Sequence, residues 1–231
     1  MSGLSRWDRR SVFTNSVLGE RVNAGDIQAI SRLITLLESE HPQGRTVLNS
    51  LTPHGGHVPI VGITGYPGAG KSTLIDQLTK VYRTQGKKVG ILAVDMSSPV
   101  TGGAILGDRI RMQSHWGDEQ VYIRSLATRG HRGGLAKVTG EVVRVLEAAG
   151  YDIILVETVG VGQEEGDIIK LAQTVVVVVA PNLGDEVQAM KAGLLEVAHL
   201  VVVNKADQPG AEHTVSELHD WVADVVSTVA V

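Results

Sequence analysis

Residues 65–72 read Gly-Tyr-Pro-Gly-Ala-Gly-Lys-Ser, and they fall between an apolar run, Val58–Thr64, and an amphipathic run, Lys71–Gln85. The octet fits G-x-x-x-x-G-K-[ST] at every position, placed where a strand passes into a helix. No other feature constrains the fold as much. A loop that wraps an anion with its own N–H groups needs glycines at fixed places, a strand behind it and a helix N-terminus in front. The flanking pattern agrees. Runs at Lys88–Val94, Gln120–Arg124, Asp152–Val156, Thr174–Ala180 and His199–Asn204 read as strands apolar throughout, the mark of burial on both faces. Ile105–His115, Leu135–Ala149 and Asp185–Val197 read as helices, and Glu212 opens a last one. Helix 71–85 turns Leu74, Ile75, Leu78 and Val81 inward, and helix 135–149 turns Val138, Val142, Val145 and Leu146 inward. Repeated βα units of this kind predict an α/β fold of the P-loop NTPase type, a mainly parallel sheet flanked by helices.

Residues 1–57 read differently. Asp26 caps a helix in which Ile27, Ile30, Leu33, Ile34 and Leu37 recur at helical spacing, and His41-Pro42 ends it. A second short helix covers Arg45–Leu51, and residues 52–57 form a linker of turn residues. The expectation is an N-terminal helical segment, 1–57, appended to a nucleotide-binding domain, 58–231. A length of 231 residues, above one average domain and below two, suits this division.

Composition removes several classes. The formal net charge is −4, so a basic nucleic-acid binder is not the default. There is no cysteine, which excludes a disulfide scaffold, a thiolate metal site and a cysteine nucleophile. The first ten residues lack the apolar core of a secretory signal, and no run approaches the length of a membrane-spanning helix. The expectation is a cytoplasmic protein that binds neither nucleic acid nor membrane.

The loop assigns chemistry. Gly65, Tyr66, Pro67, Gly68, Ala69 and Gly70 supply backbone N–H groups to phosphates, and Lys71 is the point charge on the β- and γ-phosphates. The Ser72 hydroxyl is placed as a ligand of Mg²⁺, and Thr73 reaches the α-phosphate. A second motif, Asn204-Lys205-Ala206-Asp207, closes the last strand. A carboxylate at Asp207 accepts from both the ring N–H and the exocyclic amine of guanine. Adenine offers neither donor, so the pattern selects guanine. Asn204 braces the loop and approaches the guanine carbonyl edge, while the Lys205 stem covers the base. Two acids close other strands, Asp95 and Glu157. At the carboxyl ends of strands such groups hold Mg²⁺ through its waters or orient an attacking water. Gly160 stands where a backbone N–H can sense a γ-phosphate. Asp108, in the polar segment 97–111, suits either a group near the metal or a helix N-cap.

Together these stretches strongly resemble the MeaB/ArgK family. The resemblance rests on GYPGAGKST, AVDMSSPVTGGAILGDRIRM, VLEAAGYDIILVETVGVGQ, GDEVQAMKAGLLEVAHLVVVNKAD and the upstream ISRLITLLES, over roughly residues 20–208. It implies a GTPase that chaperones an adenosylcobalamin-dependent acyl-CoA mutase, gates cofactor loading, and protects or reactivates the mutase. An older family label is transport-system kinase. The resemblance also implies catalytic roles for Lys71, Glu157 and Gly160, and a metal set of Ser72, Asp95, Asp108 and Glu157. It implies switches at 95–108, 157–167 and 182–191. Asp185 and Lys191 match charged positions of the third, which communicates with the mutase; on spacing alone they read as a helix N-cap and a solvated face.

This chain departs from the family in four places. Met96 stands where the family has Pro, and Glu164 adds an acid to the second switch. The stretch 127–134 is unusually basic and reads as an exposed loop or as a contact to phosphate or partner. The family continues past N-K-x-D with another helix and strand, a second guanine-contacting loop and a helical arm that builds a homodimer. This chain ends at Val231, 24 residues after Asp207, so a homodimer is in doubt. Three other readings stay open: a P-loop kinase, a switch with negligible catalysis, and a nickel-delivery GTPase. The last is disfavoured because there is no Cys and the His residues show no ligand spacing.

Overall fold

The structure is a computed structural model. It describes residues 14–53, 57–95, 115, 117–127, 134–158, 166, 169–181, 194–219, 222 and 224–228. The helix expected at 105–115, apart from His115, and most of that expected at 185–197 lie outside the described residues.

The chain divides into two compact units. The first gathers the residues up to His57 together with Gly140–Tyr151. It contains α1 (Asn15–Asn23), α2 (Ile27–Glu38) and α3 (Pro42–Ser50), with Leu18, Val22, Ile30, Leu33, Ile34 and Val47 fully buried. Helix α1 is not foreshadowed by the sequence pattern, because its apolar content is too thin to show a stripe. Its end is set by a tight corner. Gly25, at φ 77°, lets the Asp26 N–H reach the Arg21 carbonyl and the Gly25 N–H reach that of Val22. Asp26 then caps α2 as expected: its Oδ1 accepts from the N–H groups of Gln28 and Ala29, while Arg21 donates to Oδ2 from Nε and Nη2. A like corner follows α2, where Glu40 takes the left-handed conformation and His41 caps α3 ahead of Pro42. That cap places the α3 start at Pro42, three residues before the Arg45 expected from the sequence.

The Asp26 corner gives a measurable expectation. The Ala29 N–H, and after it Arg21, hold the Asp26 carboxyl below the ordinary aspartate range. A lowered folded pKa stabilises above roughly pH 4, and the contribution is lost as pH falls through the folded value. Asp26→Ala is expected to lose about 1–2 kcal/mol in urea unfolding at pH 7. The gap to the wild type should close on acidification; a gap independent of pH would count against the cap.

The second unit holds the sheet. Its strands are β1 (Ile60–Thr64), β2 (Val89–Asp95), β3 (Val121–Ala127), β4 (Ile153–Thr158), β5 (Thr174–Val179), β6 (Leu200–Val203) and β7 (Val225–Ser227). They lie in the order β3-β2-β4-β1-β5-β6-β7, and every pair is parallel. The valine-rich β5 shows why its sequence does not alternate. Val176 and Val178 join a cluster with Ile63, Ile75 and Leu155, whereas Val175, Val177 and Val179 join one with Ile169, Val201 and Leu218. Both faces are covered.

Helix α4 (Lys71–Thr84) follows β1, and α5 covers Gly134–Ala148. Helices α6 (Leu194–Val197) and α7 (Ala211–His219) flank β6 in sequence. On α4 the inward stripe is Ile75, Thr79, Leu74, Leu78 and Tyr82, while Val81, expected inside, is 52% exposed. Thr79 fits inside because its hydroxyl donates to the Ile75 carbonyl, leaving its methyl for the core. The other correction is at the end. The helix expected to run on from Glu212 stops at His219, and β7 follows, pairing Val225 with Val201 and Val226 with Val202. A helix and a strand therefore do follow N-K-x-D within this chain. Among the described residues, no helix is long and apolar enough to cross a membrane.

Candidate functional site

The sheet order changes direction at β1, which has β4 on one side and β5 on the other. Ligands of open α/β sheets lie in the crevice at the carboxyl ends of such strands. The loop 65–70 leaves β1 at that point. Gly65, Gly68 and Gly70 all have φ in the left-handed half, at 136°, 81° and 96°. For two of them the reason is also steric: a Cβ on Gly65 would collide with the Val178 carbonyl oxygen, and one on Gly70 with the Asn204 amide nitrogen.

Side-chain donors hold the loop carbonyls. Lys71 is 7% exposed, and its Nζ donates to the Gly65 carbonyl at 2.8 Å and to that of Tyr66 at 3.0 Å. Lys205 Nζ donates to the Gly68 carbonyl at 2.8 Å, and Asn204 Nδ2 to that of Ala69 at 2.9 Å. Four carbonyls are thus taken by cationic or amide donors. A loop whose carbonyls are engaged in this way is pre-set to offer N–H groups to an anion, beside the positive end of α4. Pro67 and Thr73 are exposed on its rim, and Tyr66 packs on the Val177–Ile169 side of the sheet.

The second motif is joined to the first. Asn204 follows β6, is 5% exposed, and its backbone N–H donates to the Val179 carbonyl. Lys205 sits at φ 58°, which turns the chain sharply and leaves Asp207 exposed at the crevice. Thr228, just after β7, fastens this turn. Its hydroxyl donates to Asn204 Oδ1 at 3.1 Å, its carbonyl accepts from the Ala206 N–H and its own N–H donates to the Val203 carbonyl. Sequence reasoning missed Thr228, because nothing local marks a threonine that acts across 24 residues.

On the other side of β1, Ser72 Oγ donates to Glu157 Oε1 at 2.9 Å, and Glu157 is 4% exposed. A hydroxyl and a carboxylate so placed are hard oxygen donors, and they fit Mg²⁺. No cluster of three or more His, Cys, Asp or Glu able to hold a metal occurs among the described residues. Asp95 closes β2 as expected, but its side chain, with Asp108, Gly160, Asp185 and Lys191, lies outside what the structure describes.

Comparison with known proteins decides the family. Residues 30–227 match the model of the methylmalonyl Co-A mutase-associated GTPase MeaB. The chain belongs to this family. A Pyrococcus abyssi protein, provisionally named a GTPase, is 53% identical over 224 residues, covering 91% of this chain and 69% of its own. GTPase ArgK of Escherichia coli is 40% identical over 198 residues, 84% of this chain and 59% of its own length. A crystal structure titled LAO/AO transport system kinase superposes with a TM-score of 0.70 at 29% identity, covering 94% of this chain and 70% of that one. MeaB-family membership accounts for the joint presence of the Gly65–Ser72 loop and the Asn204–Asp207 turn on one parallel sheet.

Proposed function

We propose that this protein binds and hydrolyses GTP, and that its nucleotide state governs a complex with a cobalamin-dependent acyl-CoA mutase, whose cofactor loading it gates and which it protects or reactivates. The observation that carries the nucleotide part is the pair of bonds from Asn204 and Lys205 to the loop carbonyls of Ala69 and Gly68. The base-reading turn and the phosphate-reading loop are one assembly. The mutase part rests on the family.

The residues divide the work. Residues 65–70 and the start of α4 bind phosphate through N–H groups, and Lys71 balances the charge that gathers on the β- and γ-oxygens during in-line attack by water. Ser72 and Glu157, joined in our reading by Asp95 and Asp108, hold Mg²⁺, which when bound neutralises phosphate charge. Glu157 and the Gly160 N–H orient the water and sense the γ-phosphate. Asp207 selects guanine, Asn204 braces the turn, and Lys205 lies over the base. Asp185 and Lys191 belong to the segment facing the mutase. Intrinsic turnover is slow and partner binding raises it, as in GTPases whose partner completes the site.

Calorimetry should show GTP bound at least about a hundredfold more tightly than ATP, and equal affinities would sink the guanine assignment. A cobalamin-dependent mutase should be retained by the protein differently with a GTP analogue and with GDP; no complex in either state would remove the chaperone role. The similarity to a structure titled as a kinase keeps one alternative, transfer of the γ-phosphate to an acceptor other than water. Stoichiometric release of inorganic phosphate separates the two.

A further inference from the structure

Thr64 and Thr158 are both wholly buried, in a sheet whose neighbouring positions are aliphatic: Ile63, Ile154, Val156, Val177 and Val179. The Thr158 hydroxyl donates to Thr64 Oγ1 at 2.9 Å. Packing alone does not ask for hydroxyls here. Valine has the same branched shape, and a buried hydroxyl pair adds little once its loss of water is counted. Their place in the sheet is more telling. Thr64 is the last residue of β1 before the loop, and Thr158 is the last of β4, directly after Glu157.

The register puts the pair and the Ser72–Glu157 bond on opposite faces. Ile63 pairs with Glu157 and with Val176, and Ile63 and Val176 share the cluster that α4 covers. Thr64 pairs with Val177, which belongs to the other cluster. Successive strand residues alternate, so Thr158 points the way Thr64 does, away from Glu157. The β1–β4 ladder ends at the pair Ile63 and Glu157. One residue further on, the hydroxyl bond joins the two strand ends. The end of β4 is thereby held to the two ends of the 65–72 loop on opposite faces, by Ser72–Glu157 on one and by Thr158–Thr64 on the other.

We infer that Thr158 is a positioning residue: its bond to Thr64 fixes the rotation of the β4 end, so that the Glu157 carboxylate is presented to the Ser72 side of the phosphate loop. The inference rests on the nucleotide reading above. A serine hydroxyl that turns to a metal ion gives up its bond to Glu157, and the pair on the opposite face then keeps Glu157 in place.

The test measures release of a fluorescent GDP analogue from the full chain, with Mg²⁺ and with EDTA. In the wild type Mg²⁺ is expected to slow release. Thr158→Val should leave the rate in EDTA within about twofold and weaken the Mg²⁺ effect about tenfold or more, the range seen when groups behind metal ligands are removed. Thr158→Ser should restore it, and Thr64→Val, which breaks the same bond from the other side, should copy the valine variant. An unchanged Mg²⁺ effect in Thr158→Val overturns the inference, as does a serine variant no better than the valine one. If both valine variants unfold or lose nucleotide in EDTA, the pair supports the fold generally and the inference also fails. A wild type that binds no guanine nucleotide fails the proposed function itself, and this inference with it.

Discussion

Lys71→Ala is expected to lower GTP turnover by about two to three orders of magnitude, the scale for removing one preorganised group that meets charge developing in a transition state. Two effects combine. The variant removes the only side-chain cation within the 65–72 motif, and it strips the Gly65 and Tyr66 carbonyls of their donor. The second effect separates this lysine from a surface charge. With Nζ gone, the carbonyls lose the donor that helps set the conformation of the loop. Lys71→Met keeps most of the stem but loses both the charge and the donor, so it should fall nearly as far in turnover while disturbing the packing less. Phosphate release and calorimetric GTP binding give the readout. Turnover within about tenfold of the wild type in both variants would remove Lys71 from the phosphate-binding role.

What the sequence disclosed and what it hid follow physical lines. The loop at 65–70 was legible because its backbone conformation fixes glycine: Gly65 and Gly70 have no room for a Cβ. The parallel sheet was legible because β4 and β5 are buried on both faces and so are apolar at nearly every internal position. The Asp26 cap could be read because a cap is a local contact. What could not be read is long-range or short. The bond from Thr158 to Thr64 spans 94 residues, and that from Asn204 to Ala69 spans 135. Sequence marks such residues individually, without saying which of them meet. Strand β7 has three residues, too few for any period to show, and it exists because β6 offers it an edge. Val81 went to the wrong face because two stripes three and four residues apart leave their flank undecided until Thr79 and Tyr82 occupy the centre.

The proposed guanine role of Asn204–Asp207 makes the other large prediction, a change of base rather than a loss. Asp207 follows a turn held at three points: the left-handed Lys205, the Ala206 N–H on the Thr228 carbonyl, and Asn204 between Ala69 and Thr228. Substitution at Asp207 therefore leaves the turn standing and alters only what it presents. Asp207→Asn replaces one acceptor oxygen with an amide donor. Against guanine, that donor faces the exocyclic amine, so one hydrogen bond becomes a donor–donor clash. GTP affinity should fall about two to three orders of magnitude, less than the largest discriminations known for hydrogen-bonding sites because Asp207 is exposed. Xanthine carries a carbonyl where guanine carries that amine, and it keeps the ring N–H. The amide of the variant then donates to the carbonyl and accepts from the ring N–H. Xanthosine triphosphate should accordingly bind the variant more tightly than GTP does, reversing the wild-type order. Competition of both nucleotides against a fluorescent GDP analogue checks this. A variant that loses GTP without gaining the xanthine nucleotide would mean that Asp207 supports the turn and does not read the base.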